Sequence, residues 1–217
     1  MTHAQTASIE RYSRNHRAEV RRISCATALF GEPLSRCFDD DETLADALTS
    51  YFTDYEPASC FVAIDGTEVV GYVIGTRDTA AMRRVFGSRV LPRLAAKAAL
   101  RGVFFRRKNL KFIVNSAAGL LKGEFSTSRF SKEYPATLHI NVDARGRCRN
   151  VGSALLEHYV EFLRKEGVVG VHVSTMSERA KSFFEQHGFV ALAEGTRTFL
   201  RYCLGRDLPS FVLGRKL

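Results

Sequence analysis

The sequence lacks two features that would place the chain in or across a membrane. No stretch approaches the roughly 18 consecutive apolar residues that a membrane-spanning helix requires, so we expect no bilayer crossing. Residues 1–8 are polar and lack the charged, apolar and small-residue succession of a secretory signal. The chain is therefore expected to be cytoplasmic.

The cysteines and histidines lack the spacing of a disulfide framework or a metal site. The five cysteines are odd in number, scattered, and never arranged as C-x-x-C: Cys25, Cys37, Cys60, Cys148 and Cys203. We expect them to be reduced thiols, as is usual in a cytosol. The six histidines form no cluster with them, so we predict no structural metal.

Acidic residues are missing from one long segment. Between Arg83 and Lys122 there are 11 Lys and Arg residues and no Asp or Glu. Because the whole chain carries +9, the remaining residues carry −2. Such a segment is typical of a solvated helical face, an acidic-substrate site or a surface that touches anionic membrane. No helix-turn-helix or stacking-sheet signature accompanies the charge, so specific nucleic-acid binding is not favoured.

Hydrophobic periodicity predicts an α/β protein with a mixed sheet flanked by helices. Asp65-Gly66 favours a tight hairpin turn between two of the strands. The strands are predicted at 8–12, 60–64, 68–75, 136–142, 168–174, 189–194, 198–204 and 210–214, and the helices at 18–28, 39–56, 151–166 and 179–187. Residues 1–217 are expected to form one domain. Segment 78–132 is predicted to be a basic helical insertion between the third and fourth strands.

A short basic turn joins the strand at 136–142 to the helix at 151–166. Free N–H groups and the partial positive charge at a helix start attract anions, and Arg147 and Arg149 add guanidinium groups. Gly152 allows a ligand to approach the backbone closely. The turn is typical of a pyrophosphate site, although taken alone an ordinary strand-to-helix connection is equally compatible with it.

A second pattern follows downstream, S-E-R-A-K-S-F-F-E-Q-H-G-F at 177–189. Together the two patterns resemble the GNAT family of acetyltransferases, most clearly from Tyr134 to the C-terminus. The resemblance implies a GNAT-like fold with acetyl-CoA as cosubstrate. The family's cofactor turn, R/Q-x-x-G-x-G/A, falls on Arg147, Cys148, Arg149, Asn150, Val151 and Gly152, and Ser153 follows it. Asn150 replaces the middle glycine, and asparagine is the other residue that tolerates left-handed backbone geometry well.

The resemblance also implies roles for individual residues. The strand edge at Ile140 and Val142 would pair with the pantetheine arm, and the Val142 N–H would polarise the thioester carbonyl. Ser177 begins the second pattern and would also contact the cofactor. Phe184 stands where the family often has a tyrosine that protonates the departing thiolate, which a phenyl ring cannot do. Cys148 is expected to be inert, because the family transfers the acetyl group directly.

Two stretches, T-D-Y-E-P at 53–57 and Y-P-A-T-L-H-I-N at 134–141, look like bacterial relatives of the acetyltransferase-like domain of O-GlcNAc hydrolases. In those proteins the position of Asn141 is often aspartate. His139 shares a strand face with Asn141 and is the leading candidate for the base, although simple packing explains a histidine there as well. Tyr202 is a candidate replacement for the missing tyrosine.

These observations predict an acetyl-CoA-dependent N-acetyltransferase that acts on a primary amine of an unidentified acceptor. The alternative is a catalytically degenerate acyl-CoA-binding module, which the residues at Phe184 and Asn141 favour. In the GNAT layout the basic segment lies near the mouth of the acceptor site, where it would act as a lid or docking element. The oligomeric state is left open between monomer and homodimer.

Overall fold

The computed structural model describes residues 7–144 and 150–217. Within them the chain forms a seven-stranded mixed sheet in the order β1-β2-β3-β4-β5-β7-β6. The strands are β1 (Ser8–Arg11), β2 (Cys60–Asp65), β3 (Glu68–Thr76), β4 (Ala136–Val142), β5 (Gly170–Thr175), β6 (Val190–Arg197) and β7 (Leu208–Lys216). The helices are α1 (Arg17–Ala26), α2 (Asp41–Tyr55), α3 (Thr79–Val85), α4 (Leu91–Leu100), α5 (Arg107–Leu121), α6 (Val151–Lys165), α7 (Glu178–Gln186) and α8 (Arg201–Leu204). The predicted fold class is confirmed.

Helices cover both faces of the sheet. On one face, α1 and α2 bury Val20, Ile23 and Phe52 against Tyr72 and Ile74 of β3. On the other face, α6 places Leu155, Tyr159 and Leu163 in a core cluster with residues of β2 to β5. Alternate residues of each strand therefore face different helices, as the period-2 pattern requires.

Local signals placed several elements correctly. Asp40 caps α2 by accepting a hydrogen bond from the Thr43 N–H at 2.9 Å, and Asp41 and Glu42 lie in the first turn, where negative charge is favourable. The β2–β3 hairpin turns at Gly66, which has a φ of 63°. The acidic run and the Asp-Gly dipeptide thus act as predicted.

The segment between β3 and β4 folds into three helices. Asp78 caps α3, a π-helical stretch at Phe86–Val90 leads into α4, and Gly102 ends α4 with a φ of 69°. Val103 is fully buried in a cluster with Phe199 and Leu200. The helical prediction is correct here, and the helices share a hydrophobic core with the C-terminal part of the chain.

Three of the 11 positive charges between Arg83 and Lys122 are paired with acidic residues at the start of α2. Lys97 binds Asp46, Arg101 binds Asp40, and Lys108 binds Asp39, at 2.9, 2.9 and 2.6 Å. Burial opposes ionisation of Asp40 and Asp46, yet the hydrogen bonds they accept outweigh it and lower the pKa of both carboxyl groups. These ion pairs attach α4 and α5 to α2.

Two predictions about the rest of the chain are wrong. The strand expected at 198–204 is absent, and the short helix α8 lies there between β6 and β7. Cys37 and Cys203 are not reduced thiols, because they form a disulfide across 166 residues. Cys25 and Cys60 are free, and Cys148 lies outside the described residues.

Candidate active site

The sheet opens between β4 and β5, which form the one parallel strand pair among the described residues. These strands pair only at Ala136↔Val171 and Thr137↔His172, so within the described residues no strand pairs with β4 beyond Thr137 on that side. The opposite side of β4 remains paired with β3 as far as Gly71↔Val142. Most of β4 therefore presents a free backbone edge toward the interior of the fold.

Register determines which amides lie on that edge. The Asp143 N–H donates to Val70 O at 2.8 Å. Because hydrogen-bonded pairs alternate along an antiparallel ladder, Asn141 and His139 also bond toward β3. The N–H and C=O groups of Ile140 and Val142 consequently point toward β5. These are the two residues for which a backbone role was predicted.

Asn150 begins α6 in left-handed geometry, with φ 56° and ψ 14°. Asparagine thus adopts here the conformation for which the family pattern has glycine, as expected. Val151 is buried beneath the first turn of α6, and Gly152 and Ser153 follow it in that turn. The other predicted residues of the turn, Arg147, Cys148 and Arg149, lie outside the described residues.

The backbone conformation of Gly152 does not by itself require a residue without a side chain. Its φ is not in the left-handed region, and an added Cβ would lie in ordinary contact, 3.6 Å from the Phe183 ring and 3.7 Å from Val142 Cγ2. At Gly75, by contrast, a Cβ would overlap the Tyr159 hydroxyl. Neither backbone strain nor contact with the described residues therefore requires glycine at 152.

His139 lies on β4 directly before Ile140, whose backbone groups point toward the free edge. Its side chain is exposed to solvent, but the surrounding protein desolvates the ring and lowers the pKa of His139 below its usual value. Phe52 of α2 packs beside it, with ring centroids 5.5 Å apart. At neutral pH this imidazole is uncharged and able to accept a proton.

Asn141 points to the same face of β4 as His139. Its Nδ2 donates to the Tyr72 hydroxyl oxygen at 2.7 Å, and burial raises the pKa of Tyr72 well above its usual value. The pair is therefore neutral and held in a fixed orientation. Asn141 therefore offers an amide group at this point and cannot act as a base.

Ser177 and Phe184 lie at the two ends of α7. The Ser177 hydroxyl caps the helix by accepting from the Ala180 N–H at 3.3 Å. Phe184 is buried in the core, with Phe183 and Phe189 around it. Phe184 therefore contributes to packing, and it has no exchangeable proton to donate to a thiolate.

Tyr202 lies on α8, and its placement on a strand was wrong. Its hydroxyl donates at 3.1 Å to the backbone oxygen of Cys37, which is the disulfide partner of the neighbouring Cys203. The hydroxyl proton that Tyr202 would have to donate to the thiolate is therefore engaged in this hydrogen bond.

His172 uses both ring nitrogens within the fold. They contact Tyr134 O at 2.7 Å and Thr127 Oγ1 at 3.0 Å.

Two residues near the site were not predicted. Phe52 contacts His139 across the fold, and Phe183 faces Gly152 and the end of β4. Each belongs to an apolar helical stripe in the sequence, so nothing distinguishes it from an ordinary core residue before the fold is known.

The geometry matches a known family. The model of the Acetyltransferase (GNAT) family matches residues 25–189, most of the chain. The chain belongs to the GNAT family of acetyltransferases. The cosubstrate of this fold is acetyl-CoA, and the free edge of β4 followed by the start of α6 fits an extended arm that ends in phosphates.

Solved structures of related proteins share this fold. The crystal structure of SsHAT matches with 26% identity and a TM-score of 0.76, covering 97% of this chain and 98% of that one. The polyamine N-acetyltransferase of Drosophila melanogaster matches with 16% identity and a TM-score of 0.60, covering 97% and 100%. A phosphinothricin acetyltransferase from Sinorhizobium meliloti, in complex with AcCoA, matches with 14% identity and a TM-score of 0.58, covering 98% and 89%.

None of the helices within 7–144 and 150–217 is long and apolar enough to cross a membrane.

Proposed function

We propose that this GNAT chain is an N-acetyltransferase that moves the acetyl group of acetyl-CoA directly to a primary amine. The observation that supports this most is the position of His139, whose exposed side chain lies on β4 directly before Ile140 of the free edge. A base at that place is close to where a thioester held along β4 would react. The kinship with bacterial relatives of the acetyltransferase-like domain of O-GlcNAc hydrolases stays a prediction, as does a single domain over 1–217 with an insertion at 78–132.

The proposed reaction uses few groups of the chain. The Val142 N–H points toward β5 and would donate to the thioester carbonyl oxygen as negative charge develops on it. Neutral His139 would take a proton from the incoming ammonium group, so that the amine lone pair can attack. Asn141, fixed by Tyr72, would orient the acceptor through its amide oxygen.

The start of α6 would hold the diphosphate. Asn150, Val151, Gly152 and Ser153 supply the first N–H groups of the helix, and Arg147 and Arg149 would add positive charge. Ser177 would contact the pantetheine arm from the start of α7. The thiolate leaves as coenzyme A, and solvent is the proposed source of its proton, because Phe184 carries no hydroxyl group and Tyr202 donates to Cys37.

A second candidate is an acyl-CoA-binding module without catalysis. The burial of Phe184 in the core favours it, because the family's usual acid is missing there. Release of free coenzyme A thiol from acetyl-CoA, measured across a panel of small amines, separates the two functions. Acceptor-dependent thiol release that disappears in His139→Gln supports the transferase. Thermal stabilisation by acetyl-CoA with no release for any amine supports the binding module.

A further inference from the structure

Helix α5 turns an apolar face to solvent. Its outward side repeats every three to four residues and comprises Arg107, Leu110, Lys111, Val114, Ala117, Leu120 and Leu121, all exposed. Leu121 is 90% exposed. We call this set the α5 outer face. Surface helices of globular proteins normally show the reverse, with polar residues outside and apolar residues inside.

The inward side of α5 packs into the hydrophobic core, which determines which side of the helix faces solvent. Phe112 and Ile113 pack in the cluster that contains Phe199, and Gly119 approaches Phe199 so closely that a Cβ would lie 3.2 Å away. Asn109 is fully buried and accepts from the Asp39 N–H at 2.8 Å. The helix is thus anchored on one side, and the apolar residues on the other side remain largely exposed.

More apolar surface lies at the N-terminal end of this face. Phe105, two residues before α5 begins, is 89% exposed, and Leu100 at the end of α4 is equally exposed. Of the 11 large exposed hydrophobic residues in the described chain, eight lie between Leu91 and Leu121. Single exposed apolar side chains are common on proteins, but a concentration of this kind marks a contact surface.

The charges on the same surface have one sign. Arg107 and Lys111 are exposed on the α5 outer face and have no ion-pair partner within the described residues, whereas Lys108 is paired with Asp39 on the inner side. Helix α5 contains no acidic residue. The occupant must therefore combine an apolar layer with negative charge.

We propose that the α5 outer face, with Phe105 at its end, binds the surface of an anionic phospholipid membrane. A helix that lies in the interface plane inserts its apolar side chains at the acyl boundary, and its Lys and Arg residues remain among the headgroups. A second copy of the chain fits this face less well. Helix α5 contains no acidic residue, so a two-fold contact through it would offer no carboxylate from α5 of the other copy to Arg107 and Lys111. This proposal does not depend on the acetyltransferase activity.

Vesicle co-sedimentation of the full chain tests the proposal. The vesicles are phosphatidylcholine alone, or phosphatidylcholine with about one third replaced by phosphatidylserine. We expect sedimentation with the anionic vesicles only, and release as salt screens the charges. Phe105→Ser and Leu121→Ser should each weaken binding roughly tenfold, because each removes a large apolar side chain from the lipid contact.

The charge variant is Arg107→Gln combined with Lys111→Gln, which should weaken binding to anionic vesicles roughly tenfold. Val190→Ser, at an apolar residue that is 58% exposed on β6, and Lys165→Gln on α6 are matched controls and should leave binding unchanged. All these side chains are exposed, so melting temperatures should agree across the set.

Three outcomes would overturn the proposal. The first is a folded wild-type chain that stays in the supernatant with anionic vesicles at low salt. The second is an equal loss of binding in the Val190→Ser control. The third is a dimer in sedimentation velocity that Leu121→Ser dissociates while vesicles have no effect, which would assign this face to contact between copies.

Discussion

The ring of Phe52 packs against the ring of His139 with centroids 5.5 Å apart and planes inclined by 59°. The contact joins α2 to β4 and fixes the orientation of an imidazole that solvent reaches. Desolvation by this environment lowers the pKa of His139, so the ring is in its neutral form at neutral pH.

Replacement of His139 by glutamine should lower acceptor turnover by about 10²- to 10⁴-fold, the range for loss of a general base. The dissociation constant for acetyl-CoA should stay unchanged, because the side chain lies on the face of β4 and the proposed cofactor contacts are backbone groups at its edge. Steady-state kinetics and calorimetry check the two parts. A variant that loses cofactor binding and turnover together would place His139 in a structural role.

The rate should also depend on pH in a defined direction. The pKa of His139 is lowered, so the neutral base persists at pH values below its usual pKa of about 6.5. The acid limb of kcat/KM should therefore fall at a pH below that value, and His139→Gln should remove this limb. An unchanged acid limb in the variant would assign it to another group.

Gly152 gives the sharpest test of the cofactor turn. Gly152→Ala should fold normally, because its Cβ meets only ordinary contacts, and should weaken acetyl-CoA binding. Gly152→Glu, which adds a carboxylate beside the diphosphate, should abolish saturable binding. Gly195→Ala on β6 is the control, since its Cβ would meet nothing within 4 Å. Full affinity in folded Gly152→Glu would refute the assignment of the phosphate site.

The ion pairs beneath α4 predict acid sensitivity. Asp46 accepts from Arg21 and from Lys97, and these bonds outweigh burial in lowering its pKa. A carboxylate with a depressed folded pKa stabilises the protein above its unfolded pKa of about 3.9 and loses that contribution as the pH falls through the folded value. Asp46→Asn should cost about 2 kcal/mol at neutral pH and flatten the acid limb of the melting temperature. Glu32→Gln, at an exposed carboxylate, serves for comparison.

The disulfide makes stability dependent on redox conditions. Cross-linking Cys37 to Cys203 closes a loop of 166 residues, which on the chain-entropy model contributes about 5 kcal/mol as an upper value. Cys203→Ser should melt at a lower temperature than the oxidised protein and at the same temperature as the reduced protein. Cys25→Ser is the control, since that cysteine is free and burial raises the pKa of its thiol to about 11. Equal melting of the oxidised and reduced wild type would contradict a stabilising role.

Local patterns predicted much of the fold because their physical causes are local. The acidic start of α2, the Asp-Gly turn and the apolar stripe of α6 each act within a few residues. The left-handed Asn150 was also foreseeable, since few residues other than glycine adopt that geometry readily.

The failures concern contacts between distant residues. No spacing rule pairs Cys37 with Cys203, because these residues are far apart in the sequence. Cys203 lies on α8, and the β-rich composition of that segment led to the incorrect prediction of a strand. The basic segment was interpreted as a solvated face or as charge directed toward a partner, yet Lys97, Arg101 and Lys108 pair with the acidic run at 39–46. Both runs were visible in the sequence, but only the fold shows that they face each other. The same packing means that a deletion of 83–122 would open the core at Val103, so point variants are the sounder test of this segment.

The divergence of β4 from β5 gives the cosubstrate a structural role besides its chemical one. A polar arm laid along Ile140 and Val142 would serve the sheet as an extra strand, satisfying backbone groups in the middle of the layer where no part of the described chain does so. Acetyl-CoA would then bridge the two halves of the protein, β1 to β4 on one side and β5 to β7 on the other. Binding of acetyl-CoA would therefore add to the stability of the folded protein.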